Sequence, residues 1–246
     1  MEELSWLPIL MYHRIVERGA RSEEDPYAVS ADILEAQLDW LATHSFAPVP
    51  LDLALQFPAP GEARRFAVTF DDGYADFLEL VLPVLSRRGV PATVFVVSNA
   101  IGGHADWDGG ARILSRDGVR ELHSGGVFIG SHGRTHRRLA GLPPAELESE
   151  VLGSKGDLED LLGAPVRHFA YPHHSFDRSA VEAVRDAGYD AAAGGHDATH
   201  DRFNLHRIDA VRLGKPRLGL RLRGVHRRAR RLPFPMPVRN LLRVVT

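Results

Sequence analysis

The chain has 246 residues, 44% hydrophobic and 25% charged, with 30 Lys and Arg against 32 Asp and Glu and no cysteine. This composition fits a folded globular chain with a substantial core and argues against disorder, and the missing cysteine excludes a disulfide framework, a thiolate metal site and a Cys nucleophile. The formal charge of −2 conceals an asymmetry: all 32 acidic residues lie before residue 210, whereas residues 210–246 carry 11 basic residues and no acidic one.

At the start of the chain, Glu2 and Glu3 precede the apolar stretch Leu7–Tyr12, which ends at His13-Arg14. A secretory leader needs a basic region ahead of its apolar one, so the stretch reads as a buried strand. No run approaches the roughly 18 apolar residues of a spanning helix. The expectation is a cytoplasmic protein.

Further strands are expected at Arg65–Phe70, Ala92–Val97, Val127–Gly130, Val166–Tyr171 and Tyr189–Ala193, with Pro8–Tyr12 as the first. Each is short and apolar at most positions, as strands buried on both faces are. Helices are expected between them. Ser30 can cap one in which Ile33, Leu34, Gln37, Leu38 and Leu41 repeat at helical spacing. Phe77, Val81 and Leu85 form another before Gly89, with a kink at Pro83. Pro143-Pro144 opens a third, with Leu147, Val151, Leu158, Leu161 and Leu162 inward and Gly163 as its stop. Asp177–Gly188 is a fourth, with Val181 and Val184 inward. Strand–helix alternation implies a parallel sheet with covering helices, either open and doubly wound or closed as a barrel. Neither nucleotide-binding glycine fingerprint follows the early strands. The rhythm stops after Arg212, where an Arg- and Pro-rich segment begins.

In parallel folds, polar groups at the C-terminal ends of strands face the functional end. Three strand ends carry such groups. Asp71 and Asp72 stop the second strand, where they either serve a site or open a helix. His132 and His136, four apart, share a face if their segment is helical, as metal-binding pairs do; among 13 histidines such a pair can also arise by chance. Tyr171-Pro172 ends a later strand and brings the next backbone N–H to the mouth, followed by His173-His174, which can be an exposed turn. Together they offer a carboxylate and two imidazoles as a three-ligand set with open coordination, leaving the second carboxylate as a general base.

In three ordered motifs the sequence resembles the polysaccharide deacetylase family (carbohydrate esterase family 4, the NodB-homology domain): Thr69-Phe70-Asp71-Asp72-Gly73, Ser131-His132-x-x-Thr135-His136 and Phe169-Ala170-Tyr171-Pro172. The resemblance runs from about Pro8 to Ile208. It implies a distorted, incomplete (β/α) barrel, with residues 1–212 as the catalytic domain and 213–246 as a basic extension. It also implies Asp72, His132 and His136 as ligands of one divalent metal, zinc first and cobalt, nickel or iron otherwise. The implied reaction is hydrolysis of an N-acetyl group on an amino sugar, with Asp71 as base and the His173 backbone N–H holding the oxyanion. Tyr171, Pro172 and Arg207 are then expected to bind substrate.

The family's usual acid is a His in a late Leu-x-His motif, whereas here Leu205 and His206 are adjacent. His13, at the end of the first strand, resembles the branch acting on poly-N-acetylglucosamine, in which that element is permuted to the N-terminus. Closing the barrel would set the first strand beside the last, so His13 is the expected acid and His206 the alternative. The family's Arg-x-Pro-Tyr reads Ala170-Tyr171-Pro172-His173 here, so its base-orienting arginine has no counterpart at that place, and Arg207 is the candidate substitute.

The implied partner is an N-acetylated glycan or glycolipid. The cationic, partly apolar tail can lie on an anionic membrane, bind a polyanion or nucleic acid, or pair with the acidic body. A non-sugar amide as substrate, or glycan binding without catalysis, are the competing functions.

Overall fold

The structure is a computed structural model that describes residues 8–20, 25, 27–54, 64–195 and 200–211. The basic segment 213–246 lies outside the described residues.

Among the described residues, ten strands form one sheet: β1 (Ile9–Tyr12), β2 (Phe46–Pro48), β3 (Arg64–Phe70), β4 (Ala92–Val96), β5 (Phe128–Ser131), β6 (His168–Ala170), β7 (Ala191–Ala193), β8 (His200–Asp201), β9 (Asn204–Leu205) and β10 (Ile208–Asp209). Their order is β8-β9-β7-β6-β5-β4-β3-β1-β10, with β2 on β3, and every pair is parallel except β8 with β9. The strands expected from the sequence are all present, shifted by one or two residues at their ends. The first strand does lie beside the last, with Leu10 opposite Ile208.

This sheet curls into an incomplete (β/α) barrel. β9 sits beside β7 and β10 beside β1, so the link His206-Arg207 crosses the gap between the two ends of the sheet. Side-chain parity follows from the two-residue period of a strand. Phe66, Val68 and Phe70 of β3, with Val94 and Val96 of β4, face the helices. Ala67 and Phe95 face inward, with Ile9, Ala170, Ala191, Ala193 and Leu205. The interior is built largely from alanines, so a single aromatic ring fills much of it. A Cβ on Gly130 would lie 2.5 Å from the Phe95 ring, which is why that strand position is glycine.

Among the described residues, the α-helices of five residues or more are α1 (Ala31–Thr43), α2 (Leu82–Arg88), α3 (Arg116–Ser124), α4 (Pro144–Glu148), α5 (Ser154–Leu162) and α6 (Arg178–Asp186). Leu34, Gln37, Leu38 and Leu41 bury one face of α1. Ile33, expected on that face, is 43% exposed, because it falls one position off the stripe. Ser30 occupies the N-cap position of α1 without a side-chain capping bond, unlike Asp177, which accepts from Ala180 N ahead of α6. A π-helical turn, Phe77–Val81, runs directly into α2, and Pro83, where the sequence suggests a kink, falls in the first turn of α2. A second π-helical turn, Ser149–Gly153, joins α4 to α5. Among the described residues, no helix is long and apolar enough to cross a membrane.

Candidate metal centre

The carboxylates and imidazoles converge at the C-terminal mouth. Asp71 and Asp72 follow β3, His13 follows β1, His132 and His136 lie on the loop after β5, and His173 and His174 on the turn after β6. With Tyr27, Tyr74, Trp107, Asp108, Arg138 and Tyr171 they line a cavity of about 270 Å³. A larger groove of about 440 Å³ lies elsewhere, among residues of α4, the second π turn and α6. It holds no imidazole, so the chemistry belongs to the smaller cavity.

Asp72 Oδ1 lies 3.3 Å from His132 Nε2 and 3.1 Å from His136 Nε2, and ligand atoms of all three residues fall within 4.8 Å of one another. All three residues are buried. The Asp72 Oδ1 atom is buried and takes no hydrogen bond, and it faces two imidazole nitrogens. His132 Nδ1 sits 2.8 Å from Ala170 O, which directs Nε2 inward. An O,N,N donor set of this kind suits zinc and accepts cobalt, nickel or iron. The residues fit a divalent cation.

Burial alone would raise the Asp72 carboxyl, but the two imidazoles outweigh it and hold Asp72 well below the usual carboxylate range. Burial likewise opposes protonation of His132, and there the Asp71 and Asp72 charges prevail and raise its pKa. At His136 burial prevails and lowers it.

Asp71 is held differently. Arg207 is fully buried and forks onto it, donating from Nη1 to Oδ1 at 2.5 Å and from Nη2 to Oδ2 at 2.8 Å. Arg207 Nε donates to Gly194 O at 3.0 Å, and the guanidinium lies over the Phe95 ring. Arg207, then His132 and His13, overcome the burial of Asp71 and hold its carboxyl at about 2, so it stays ionised. The expectation of Arg207 as a substrate contact is therefore corrected. At zero exposure it cannot reach substrate, and its guanidinium instead holds Asp71, where the Ala170–His173 motif supplies no arginine.

Tyr171 lines the cavity but is itself buried, and its hydroxyl donates to Phe203 O at 2.9 Å, so it contributes wall and not a free polar contact. Pro172 is buried and does not line the cavity. Because Pro172 lacks an N–H and the amides of His174 and Ser175 already donate to Tyr171 O and Pro172 O, the next candidate donor is His173 N–H. His13 Nε2 lies 3.9 Å from Asp71 Oδ2 and its ring packs on Tyr27. His206 is buried and not among the cavity-lining residues, so of the two acid candidates His13 alone is brought to the mouth. The segment from His132 to His136 is a loop and not the helix on which two histidines four apart would share a face; their rings meet at 5.1 Å through that loop.

Sequence reading missed Trp107, whose ring packs on His136 at 4.2 Å. It comes from the hairpin His104–Ala105 with Ala111–Arg112, too short for a periodic signal. The Gly-rich turn after Trp107-Asp108 was the available clue.

Fold and site together define a parallel barrel with a buried carboxylate–imidazole cluster at its C-terminal mouth. A family profile described as polysaccharide deacetylase matches residues 59–192. The chain belongs to the polysaccharide deacetylase family. It is similar to YxkH of Bacillus subtilis (strain 168), at 28% identity over 84% of this chain and 72% of that one. It is also 24% identical to a poly-beta-1,6-N-acetyl-D-glucosamine N-deacetylase of Staphylococcus aureus, over 48% of this chain and 44% of that one. Among solved structures it superposes on the Streptococcus pyogenes deacetylase PplD in complex with acetate, with a TM-score of 0.74 at 22% identity, covering 88% of this chain and 97% of that one. The last likeness carries the fold.

Proposed function

We propose that this chain is a metal-dependent hydrolase that removes an N-acetyl group from an amino sugar of a glycan or sugar-lipid. The observation that carries the reading is the convergence, in one cavity, of Asp72, His132 and His136 with an arginine-held Asp71 and with His13. Asp72, His132 and His136 hold one divalent cation, zinc first, and cobalt, nickel or iron by donor chemistry. Such an ion, when bound, supplies Lewis acidity toward the acetyl carbonyl and toward water.

The chain's own groups do the rest. Asp71, ionised and fixed by Arg207, accepts the proton of the attacking water. His173 N–H donates to the oxygen that gains charge as the carbonyl carbon becomes tetrahedral. His13 protonates the departing amine, and the products are acetate and the free amino sugar. Tyr27 and Trp107 offer aromatic walls to the sugar ring.

Support for an N-acetyl sugar comes from family membership and from the Staphylococcus aureus relative. Residues 1–212 make up the catalytic domain. The basic segment 213–246 rests on an anionic membrane at the cytoplasmic face, where a polybasic stretch gains about 1 kcal/mol per Lys or Arg near the surface.

Acetate release by metal-reconstituted protein from a panel of N-acetylglucosamine oligomers and small non-sugar amides tests the reading. Turnover of the oligomers supports it, and turnover of the amides alone would replace it. Asp71→Asn should lower kcat by about 10²- to 10⁴-fold, and full activity in that variant would remove Asp71 as the base.

A further inference from the structure

The two histidines of the cluster are joined by Gly133, Arg134 and Thr135, a loop with no helical hydrogen bonds of its own. Its backbone groups must therefore be satisfied from outside. The acceptors are covered from the end of β4: Ser98 N donates to Gly133 O at 3.2 Å and Asn99 N to Arg134 O at 3.0 Å. Of the backbone donors, Gly133 N donates to Ser131 Oγ at 3.2 Å, and the other two are covered by one side chain. Arg134 N and Thr135 N both donate to Glu150 Oε2 at 2.9 Å, and Thr135 Oγ1 donates to Glu150 Oε1.

Glu150 is 4% exposed, and the guanidinium next to it does not neutralise it: Arg134 pairs with Asp157, by Nε at 2.9 Å and Nη2 at 3.0 Å. A buried carboxylate that takes its donors from one three-residue loop is a costly way to fill space, so the loop's shape is what it secures. Two sequence features allow the approach. The π turn Ser149–Gly153 buries two consecutive side chains, Glu150 and Val151, and such turns occur often at functional sites. Gly133, at φ +78°, leaves room where a Cβ would stand 3.2 Å from Glu150 Oε2.

We propose that Glu150 is a positioning residue that fixes the spacing of His132 and His136, and through it the affinity of the cluster for its divalent cation. Neither carboxylate oxygen enters the cavity, so Glu150 acts through the loop. The inference rests on the metal site of the proposed function. It adds a determinant that no motif spacing reveals, since Glu150 lies 14 residues beyond His136 and outside the three motifs.

The test is titration of metal-free protein with Co²⁺, reading both the dissociation constant and the visible d–d spectrum, with far-UV circular dichroism and thermal unfolding of the metal-free form recorded beside it. Glu150→Ala should bind Co²⁺ about 10- to 100-fold more weakly, as loss of outer-sphere partners does elsewhere, and with an altered spectrum. Glu150→Gln, which keeps one acceptor oxygen and can turn its amide toward Thr135 Oγ1, should recover most of that affinity. If Glu150→Ala does not fold, Thr135→Val, which removes one of the three donors, should weaken binding severalfold and shift the spectrum. A folded Glu150→Ala or Thr135→Val with parental affinity and parental spectrum would overturn the proposal, even with a lowered melting temperature, because Glu150 would then support the fold alone. A parent protein that takes up no Co²⁺ would instead overturn the metal site itself, and its own titration tells the two failures apart.

Discussion

A histidine meets an aspartate at both ends of this barrel. At the mouth, His132 and His136 approach Asp72 at 3.3 and 3.1 Å, with side-chain exposures of only 3 to 6%. At the floor, His168 begins β6 with its Nε2 2.8 Å from Asp52 Oδ1, and there the aspartate is 40% exposed. The backbone differs as well. Of five non-glycine residues at positive φ among the described residues, four are Asp72, His136, His173 and His174 at the mouth, and the fifth is Ser45. Each such conformation costs on the order of 1–3 kcal/mol, and the surrounding structure must hold it in place. The pairing of residue types is therefore common to both ends. Burial, a third converging ligand atom and stored strain belong to one.

Replacing Asp72 at the mouth should give the largest effect. Asp72→Ala is expected to abolish stoichiometric cation binding and to lower kcat/KM by on the order of 10³-fold or more, several kcal/mol of barrier. Equilibrium dialysis and acetate release measure the two, and His168→Ala at the floor should leave both near parental values. Next comes Arg207→Met, which leaves Asp71 buried without its cation. Breaking a buried pair from one side costs about 3–5 kcal/mol, read as a lower urea midpoint at neutral pH. An unchanged midpoint would mean that Asp71 is better hydrated than its burial implies.

A carboxylate outside the cavity lining, Asp76, sharpens the comparison through pH. Asp76 accepts only Ile15 N at 3.2 Å from the backbone, and burial prevails over that bond and over Arg14, raising its carboxyl to about 7. The folded form thus keeps a proton up to about pH 7 that the unfolded chain releases near pH 4. Stability from this group is full below about pH 4 and falls through the window between, by up to a few kcal/mol. Asp76→Asn keeps an acceptor for Ile15 N and should flatten that slope. Urea midpoints at about pH 5 and pH 8 that differ as much in the variant as in the parent would refute it.

The parallel barrel was legible because its strands are buried on both faces: Ile9–Tyr12 and Ala92–Val96 are fully buried, and they read as apolar at every position but Thr93. The cluster of Asp72, His132 and His136 was legible because its members follow the ends of such runs. What was hidden depends on closure in three dimensions. Arg207 lies 136 residues from Asp71, and nothing local in Leu205-His206-Arg207 says which of the two polar side chains enters the barrel. Glu150 was hidden because it lies in a helical segment whose π turn shifts the inward face, so a period of 3.6 assigns it no role. Trp107 reaches the cavity from a two-residue strand pairing, below the length at which alternation can be seen.

The smallest effect belongs to the floor. The His168 contact, acting against partial burial, holds the Asp52 carboxyl below its usual range. A depressed carboxyl contributes stability above the unfolded value near pH 4 and loses it as pH falls below that point. Because Asp52 is 40% exposed, water screens the pair, and Asp52→Asn should cost less than about 1 kcal/mol at neutral pH and nothing measurable below about pH 3. Its Co²⁺ affinity and spectrum should match the parent, since β6 joins the two ends only through the three residues His168–Ala170 and the interior between them is filled by alanines and Phe95. A weakened Co²⁺ complex in Asp52→Asn would mean that the floor sets the position of Ala170 O, the acceptor facing His132 Nδ1. The two ends would then be one coupled network along β6, and the contrast between them would fail at the strand they share.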